Sequence, residues 1–328
     1  MEDVTFIFRN PKVGISIGKV FQTIVSKFPD AHSITVPSPR SLPWSVLRNI
    51  LFIYKHRNKY GINHITGDIH YGIYALKGCK SVLTIHDMVM IDNCKGLKKL
   101  IKGFIWYRLP VKYANYITFI SKHTRDEFEK FYGREVPNSS VIYNPVDHIY
   151  EPSSKPFNRS MPIILHIGTR SNKNLLRVIK ALKGIPCILR IIGNIDDIYV
   201  RELKANNIEY EFRSNISEQE LKKEYDNCDI ISFPSTYEGF GMPIIEGQAE
   251  GKVVVTSNLP PMNEISGNGA ILVNPYDVHS IRTGFLRAIE NDELRESIIK
   301  EGFENVKKFN ANRIASEYQK IYNIVNGK

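Results

Sequence analysis

The sequence predicts an α/β fold with two domains, each organised around a parallel sheet. Short apolar runs that are typical of buried strands alternate along the chain with segments whose apolar residues recur at helical spacing. A length of 328 residues is long for one hydrophobic core and natural for two. The alternation stops between Tyr150 and Met161, a stretch rich in Pro, Ser and charge. We therefore expect domains at 1–155 and 156–328, with the last helix able to pack back on the first domain. Two such domains facing each other leave a cleft, the usual place for a ligand.

The first domain is predicted to contain six strands separated by helices. The strands are Val4–Phe8, Ser33–Val36, a strand ending at His64–Gly67, Ser81–Ile85, Tyr116–Ser121 and the start of Val141–Asp147. The helices run from Ser16, which can cap the first, to Phe28, from Pro43 toward Tyr60, through Lys95–Lys112, and from Thr124 to Tyr132.

The second domain restarts the same strand and helix rhythm. Its predicted strands are Ile163–Gly168, Cys187–Gly193, Glu209–Phe212, Asp229–Pro234, Lys252–Asn258 and Ala270–Pro275. Its helices follow Leu175, the capping box Ser217–Glu220, Pro243 and Pro260, and then run through Val278–Glu290, Asp292–Phe309 and Asn312–Val325.

Charge and cysteine usage narrow the classes of partner and compartment. The formal net charge of +10 favours an anionic partner such as nucleic acid, a membrane surface or a phosphorylated ligand, although a merely basic surface is equally compatible. The four cysteines are scattered with no CxxC pair, which argues against a zinc site and for a reduced cytosolic protein. We see no targeting segment, and the longest apolar patch, Ile50–Tyr54, is too short to span a bilayer.

The stretch Thr236–Glu246 is the strongest candidate site. It links a buried strand to a helix that opens at a proline, and such a helix start offers unpaired N–H groups and partial positive charge to an anion. Gly239 and Gly241 let a ligand approach the backbone closely. Two carboxylates, Glu238 in the loop and Glu246 about one turn into the helix, could each hold a polyhydroxy group. The alternatives are a surface loop acid for Glu238 and a helix-dipole role for Glu246.

Other candidates lie at carboxyl ends of predicted strands, where open α/β sheets gather their ligands. His86 follows a central strand and is a candidate contact, although a lone histidine is often structural; its neighbour Asp87 is as readily a cap. The loop holding Arg170 and Lys173 combines cations with helix N–H groups, against the alternative of solvated bases on a turn. The loop with Gly14 and Ser16 is a second candidate phosphate or sugar contact, or a plain turn.

The segment Lys95–Lys112 predicts an amphipathic basic helix. Leu97, Leu100, Ile101, Phe104 and Ile105 form one face, and most of the lysines fall off it. Such a helix can lie on an anionic membrane, or it can pack on its own sheet with a solvated lysine face.

Taken together, these residues resemble the retaining glycosyltransferases of family 4, which have the GT-B fold of two Rossmann-like domains facing across a cleft. The Phe233–Glu246 segment looks like the family's signature of two glutamates separated by seven residues. The other matching segments are Gly168–Arg170 with Lys173–Leu175, Thr84–Asp87, Val141–Asp147, Val255–Glu264 and Leu272–Pro275. The resemblance covers most of the chain.

The resemblance implies a role for each candidate. Glu246 would hold the ribose hydroxyls of a nucleotide sugar, and Glu238 the hydroxyls of the transferred sugar. Lys173, with Arg170, would neutralise the diphosphate, and His86 would contact the sugar near the reacting centre. The remaining contacts would come from the backbone amides of Gly239, Phe240, Gly241 and Met242.

Two departures from the family pattern concern loops. The N-terminal loop with Gly14 and Ser16 has fewer glycines than the family usually shows, and the loop between Arg170 and Lys173 is about a residue shorter than a common version. Lys173 is therefore the firmer assignment.

The chemistry that the resemblance implies needs no metal and no cofactor. Negative charge develops on the leaving diphosphate, where fixed cations and helix N–H groups stabilise it. No residue is identified as the carboxylate nucleophile that retaining glycosidases use, and family members are thought to react on one face, with the leaving phosphate assisting deprotonation of the acceptor.

We therefore expect a glycosyltransferase that takes a GDP-, UDP- or dTDP-sugar and an acceptor that is a glycan or is linked to a polyprenyl carrier. Bacterial O-antigen, capsule or exopolysaccharide synthesis is the expected pathway, in the cytoplasm or at the inner membrane face. The alternatives are a sugar-nucleotide epimerase or hydrolase on the same architecture and, more remotely, a nucleic-acid-binding protein. The last is disfavoured because the aromatic residues mostly fall inside predicted strands and helices.

Overall fold

Twelve strands make up two separate parallel sheets in the part of the chain described by the computed structural model, which covers residues 3–14, 16–89, 96–153 and 155–327. The strands are β1 Val4–Phe8, β2 His32–Thr35, β3 Ile62–Ile65, β4 Lys80–Ile85, β5 Tyr116–Phe119, β6 Ser139–Val141, β7 Ile163–Ile167, β8 Ile188–Ile192, β9 Glu209–Arg213, β10 Ile230–Phe233, β11 Val253–Ser257 and β12 Ile271–Val273. All the predicted strands are present, within a few residues of their expected bounds.

The helices follow the strands in alternation. They are α1 Ser16–Val25, α2 Pro43–His56, α3 Gly96–Gly103, α4 Leu109–Tyr113, α5 Lys122–Tyr132, α6 Leu175–Leu182, α7 Asp197–Ala205, α8 Glu218–Asn227, α9 Met242–Ala249, α10 Met262–Ser266, α11 Val278–Glu290, α12 Asp292–Val306 and α13 Ala311–Asn326. Among the described residues, none of these helices is long and apolar enough to cross a bilayer.

The first sheet has the order β2-β1-β3-β4-β5-β6, and every pairing in it is parallel. β1, β3 and β5 are buried along their whole length because helices cover both faces of a parallel sheet. The second sheet has the order β12-β11-β10-β7-β8-β9, again entirely parallel. Two parallel sheets with crossover helices are the predicted α/β architecture.

The chain divides into two compact units. Unit 1 comprises Met1–Pro145 and Asn310–Lys328, and unit 2 comprises Val146–Phe309. The sequence placed the division near residue 155, at the break in composition, whereas the contacts divide the chain after Pro145. The helix α13 belongs to unit 1. The sequence allowed for this packing of the last helix on the first domain.

An aromatic cluster ties α13 to the first sheet. Tyr318 and Tyr322 on α13 are buried, and their rings stack with centroids 6.1 Å apart. Phe6 and Phe28 pack against Tyr322 at 6.3 and 5.6 Å. His64 on β3 bonds to Tyr322 Oη through Nδ1 at 2.7 Å and to Thr84 Oγ1 through Nε2 at 2.8 Å. Unit 1 therefore completes its core with residues from the end of the chain.

Three elements differ from the sequence expectation. The expected single helix Lys95–Lys112 is α3, a π-helical stretch Phe104–Arg108 and α4, and Lys95 itself lies outside the described residues. The short helix α7 was not predicted. Ser16 is the first residue of α1, one position inside the expected cap.

Candidate functional site

The loop that follows β10 is shaped by glycine at the start of α9. Gly241 has φ +114°, and a Cβ there would come within 3.0 Å of Ile244 Cδ1. A side chain would be strained at this dihedral angle, so glycine fits the position. Pro243 lies in the first turn of α9, where its missing N–H is not needed. The backbone N–H groups of this first turn are the ones that the sequence assigned to an anion.

The loop that follows β7 lies against the loop after β10. Thr236 N donates to Asn172 O at 2.8 Å, and Asn172 Nδ2 donates to Tyr237 O at 2.9 Å. Asn174 is buried with φ +67°, and its amide donates to Pro234 O at 3.0 Å and to Pro275 O at 2.6 Å. One asparagine therefore holds together the loops after β7, β10 and β12.

Lys173 and Glu238, predicted to share a site, form an ion pair. Lys173 Nζ lies 2.7 Å from Glu238 Oε1, and their side chains are 20% and 14% exposed. The ammonium also lies 4.6 Å from the centroid of the Phe233 ring. Asn172 Nδ2 donates to the same Glu238 oxygen at 3.2 Å. Two donors therefore orient the carboxylate of Glu238.

Gly168 makes room for the lysine of this pair. It has φ +93°, and a Cβ there would lie 3.0 Å from Lys173 Cγ and 3.1 Å from Lys173 Cε. The lysine side chain thus runs directly over the glycine at the end of β7. Arg170 is exposed and directly precedes the short 3-10 turn Ser171–Lys173, so it lies in the same loop as the lysine.

Glu246, the second glutamate of the signature, is held by a buried tyrosine. Tyr225 Oη on α8 donates to Glu246 Oε2 at 2.5 Å, and the Tyr225 side chain is fully buried. Tyr150 packs edge-on against Tyr225 with ring centroids 5.1 Å apart. Burial, followed by the nearby charge of Glu246, raises the pKa of Tyr225 well above its usual value, so the phenol keeps its proton and remains a donor.

The other residues that the sequence predicted to contact the donor lie in the same loop and at the start of α9. Gly239, Phe240 and Met242 lie between the two glutamates, as the sequence requires. Phe240 is buried, and its ring packs edge-on against Phe309 at 5.9 Å. Its side chain therefore anchors the loop.

A histidine that the sequence did not single out lies beneath the ion pair. His166 on β7 is buried, and its Nδ1 lies 3.1 Å from Ser232 Oγ. Burial first, and the charge of Lys173 second, lower the pKa of His166 to about 3. The imidazole is therefore neutral at physiological pH and adds no charge below Lys173.

In unit 1, His86 follows β4 and is almost completely buried. Its Nε2 lies 2.7 Å from Thr66 O, and because a carbonyl only accepts, Nε2 carries the proton. Gly67 packs on the ring so closely that a Cβ there would lie 2.4 Å from His86 Cδ2. Burial is the largest influence on this group, and it lowers the pKa of His86, so the ring is neutral.

Gly14, the other candidate of unit 1, is linked to the same neighbourhood through Arg9. Arg9 Nη2 donates to Gly14 O at 3.1 Å, and Arg9 Nη1 forms an ion pair with Asp68, the residue after Gly67. Arg9 and Asp68 were not predicted. A cavity of about 580 Å³ opens between β1, β2 and α1, and Arg9, Gly14 and Lys19 contribute to its lining. Burial, then the charge of Asp68, raises the pKa of Asp87 to about 6.

The predicted residues therefore fall into two groups, one in each unit. Unit 2 brings together Lys173, Glu238 and the start of α9, and unit 1 places His86 and Gly14 near a shared Arg9–Asp68 pair. Within the residues that the structure describes, there is no group of three or more His, Cys, Asp and Glu side chains placed to hold a metal ion.

Comparison with known proteins gives matches to both halves of the chain. Residues 6–149 match the family described as Glycosyltransferase Family 4, and residues 151–305 match the family described as Glycosyl transferases group 1. The chain is 25% identical over 293 residues to the O-antigen chain mannosyltransferase RfbU of Salmonella typhimurium. The aligned region covers 83% of this chain and 77% of that protein.

Solved structures show the same fold. A sucrose-phosphate synthase from Thermosynechococcus elongatus matches with a TM-score of 0.80 at 14% sequence identity, over 100% of both chains. The structure of Anabaena Alr3699/HepE in complex with UDP-glucose matches with a TM-score of 0.76 at 16% identity, also over 100% of both chains.

Proposed function

Because this chain belongs to the family 4 glycosyltransferases of the GT-B fold, we propose that it moves a hexose-type sugar from a nucleotide-sugar donor to an acceptor with retention of anomeric configuration. The observation that carries the proposal is the Lys173–Glu238 pair, oriented by Asn172 beside the first turn of α9. A cation, a fixed carboxylate and a helix N-terminus are the groups needed to bind a diphosphate and a sugar side by side.

Each group of unit 2 has a distinct part in the proposed reaction. Lys173 Nζ moves from Glu238 to the diphosphate, where it and the first amides of α9 neutralise the charge that develops on the leaving group. Glu238, kept in place by Asn172, accepts hydrogen bonds from hydroxyls of the sugar. Glu246, held by Tyr225, accepts hydrogen bonds from the ribose.

The proposed bond changes need no enzyme carboxylate as nucleophile. The bond between the anomeric carbon and the diphosphate oxygen breaks, and the acceptor hydroxyl attacks the same face while its proton passes to the leaving phosphate. The charge of the diphosphate is met by Lys173 and by Arg170 from the same loop, so we propose a reaction without a metal or cofactor. The neutral His86 of unit 1 is proposed to contact the sugar.

The relatives support the choice of donor and acceptor classes. Alr3699/HepE is a protein whose structure contains UDP-glucose, and RfbU is described as an O-antigen chain mannosyltransferase. We propose a GDP-, UDP- or dTDP-linked hexose as donor. The proposed acceptor is a growing glycan, free or on a polyprenyl carrier at the inner face of the cytoplasmic membrane, in bacterial surface polysaccharide synthesis.

Thermal shift against a panel of nucleotide sugars tests the proposal. A donor at about 100 times its dissociation constant stabilises the protein by roughly 2.7 kcal/mol, so the correct base and sugar give a clear increase in Tm. A panel of GDP-, UDP- and dTDP-sugars with the matching free diphosphates separates base recognition from sugar recognition. If no nucleoside diphosphate or nucleotide sugar raises the Tm, the proposal is wrong.

Two glutamate variants test the division of roles. Glu246→Ala is expected to weaken binding of the free nucleoside diphosphate by about 10-fold to 100-fold, because a hydrogen bond to a charged group contributes about 1.5–3 kcal/mol. Glu238→Ala is expected to lower kcat while leaving diphosphate affinity unchanged or higher, since Lys173 loses its internal partner. Glu293→Ala, an acid in the first turn of α12, is the control. Full activity in both site variants would place the site elsewhere.

A further inference from the structure

Helix α2 exposes a row of large apolar side chains to solvent. Trp44 is 82% exposed, Leu47 46%, Leu51 59% and Tyr54 57%. Their spacing of three and four residues puts them on one face of the helix. The opposite face carries Asn49 and Ile53, which are fully buried. The helix is therefore packed normally against unit 1 and still presents a second apolar face outward.

Helix α3 and the π-helical stretch after it expose a second row. Leu97 is 71% exposed, Leu100 70%, Ile101 50% and Phe104 52%. The alternative that this segment packs its apolar face on the sheet, with only lysines in solvent, therefore does not describe the structure. The buried residue of the π-helical stretch is Tyr107.

The two elements that carry these rows both pack on the short helical segment His70–Leu76 of unit 1. From α2, Asn49 Nδ2 donates to Tyr71 Oη at 2.8 Å. From the π-helical stretch, the Trp106 ring packs on Tyr71 at 5.5 Å, and Tyr74 Oη donates to Ile105 O at 2.5 Å. We call the two rows together the apolar double row.

The two segments that carry the double row hold basic residues and no acidic ones. Segments 38–60 and 96–113 contain 10 of the 44 Lys and Arg residues and none of the 34 Asp and Glu residues. The rest of the chain holds 34 bases against 34 acids, so the whole formal net charge of +10 comes from these two segments. Bases that surround exposed Trp, Tyr and Leu side chains are the composition of an interfacial membrane helix.

We propose that the apolar double row is a docking surface for an anionic lipid bilayer, with the side chains of α2 and α3 inserted at the headgroup level and the bases around them paired with lipid phosphates. A second copy of the chain is a poor occupant because its own double row carries the same positive charge. Exposed aromatic residues with one polar end, Trp44 and Tyr54, suit the boundary between headgroups and acyl chains. The inference stands apart from the proposed donor and reaction, and its tests use no substrate.

Trp44 is a built-in reporter of insertion. The chain has two tryptophans, so Trp106→Phe leaves Trp44 as the single fluorophore, and Trp44→Phe leaves Trp106 as the matched control. With vesicles containing phosphatidylglycerol, we expect Trp44 emission to shift to the blue and to be quenched by brominated acyl chains, while Trp106 emission changes little. Absence of both the shift and the quenching overturns the proposal.

Vesicle flotation separates the contributions of the two rows. Trp44→Ser with Leu51→Ser, and Leu97→Ser with Leu100→Ser, are each expected to lower the partition coefficient at least about tenfold, because each removes two inserted side chains. The control is Ile198→Ser with Ile324→Ser, two residues that are 53% and 56% exposed elsewhere on the chain. Partitioning that is equal in all three double variants overturns the proposal.

Charge reversal tests the preference for anionic lipid. Each base near such a surface raises partitioning by about fivefold. Lys55→Glu with Lys112→Glu removes two bases and is therefore expected to lower partitioning at least about 25-fold. Lys204→Glu with Lys300→Glu is the matched control. Equal binding to vesicles of phosphatidylcholine alone contradicts the anionic partner. A dimer that shields Trp44 in the absence of vesicles assigns the surface to a second copy and likewise contradicts the proposal.

Discussion

Single residues set the fine geometry of both candidate groups, and two glycines do so because they have no side chain. Gly67 and Gly168 lie at the carboxyl ends of β3 and β7, and each lies under a side chain of the proposed site, His86 and Lys173 respectively. Their φ angles of +143° and +93° are ones that other residues rarely adopt. Close approach and unusual dihedral angle therefore act together at both positions.

Gly67→Ala is expected to destabilise the protein and to displace the imidazole of His86. The new Cβ would lie 2.4 Å from His86 Cδ2, which forces the ring away from Thr66 O. Overpacking and the lost hydrogen bond together cost about 2–4 kcal/mol. The measurement is urea unfolding, with Gly78→Ala as control because Gly78 has φ +81° and open space around it. Equal losses in the two variants would mean that the backbone angle, and not the contact with His86, sets the cost.

Tyr225 is a positioning residue, since its hydroxyl holds Glu246 and does not itself enter the proposed reaction. Tyr225→Phe is expected to weaken nucleoside diphosphate binding about tenfold, because a hydrogen bond to a carboxylate contributes roughly 1.5–3 kcal/mol and part of this is lost as Glu246 moves. Isothermal titration measures the affinity. Tyr322→Phe is the matched control, a buried phenol bonded to His64 in unit 1. An affinity loss of the same size in both variants would reduce Tyr225 to a general stability role.

At the scale of elements, the packing of β3 against α13 makes stability depend on pH. His64 is bonded on both ring nitrogens, and burial, followed by the nearby His86, lowers the pKa of His64 to about 3. The unfolded chain takes up this proton near pH 6.5 and the folded chain does not. The stabilisation is therefore present above pH 6.5 and is lost as pH falls from there toward 3.

His64→Asn is expected to reduce the slope of unfolding free energy against pH by about 1.4 kcal/mol per pH unit between pH 6 and 4, the equivalent of one proton. Glu250 and Asp87 act in the opposite direction, because burial raises the pKa of Glu250 to about 7 and that of Asp87 to about 6. Their contribution cancels when the variant is compared with the parent protein. Denaturant unfolding at several pH values gives the slope, and identical slopes would show that His64 takes up its proton in the folded state.

The sequence predicted helices and strands well where the spacing of apolar residues is compatible with only one arrangement. β4, β7 and β10 are short runs of apolar residues, and the loop after β10 carries glycine and proline in positions that only a strand-to-helix junction explains. Helix α2 is different, since Leu47 and Leu51 on one face and Ile50 and Ile53 on the other are all apolar. Periodicity alone does not say which of its faces is buried, and this decides whether the helix has an exposed docking face.

The polar residues that hold the candidate site together were missed for a similar reason. Lys173 and Glu238 were placed in one site because each lies in a recognisable loop. Asn174, Asn172 and Tyr225 act through contacts over 21 to 101 residues of sequence separation. Such contacts depend on tertiary structure, and no sequence pattern around an asparagine or a tyrosine predicts its distant hydrogen-bond partner.

At the scale of the whole molecule, the sequence predicted two sheets and placed the domain boundary at a break in composition. In the structure, the boundary between the two compact units is defined by the contacts within each unit. Residues from Val146 to the break show no strand or helix periodicity, so the sequence alone does not assign them to unit 2. Helix α13 is amphipathic like its neighbours, so its return to unit 1 rests on Tyr318 and Tyr322, which find the aromatic cluster of β1 and β3.

This return of α13 has a consequence for the order in which the protein forms during translation. Unit 2, Val146–Phe309, is one continuous segment and has all its strands and helices before α13 has been synthesised. Unit 1 begins earlier, but its nascent sheet keeps Phe6, Phe21 and His64 uncovered until Tyr318 and Tyr322 emerge. The half that the ribosome starts first is therefore the half that matures last, and the nascent chain carries an unfinished aromatic surface while the whole of unit 2 is made.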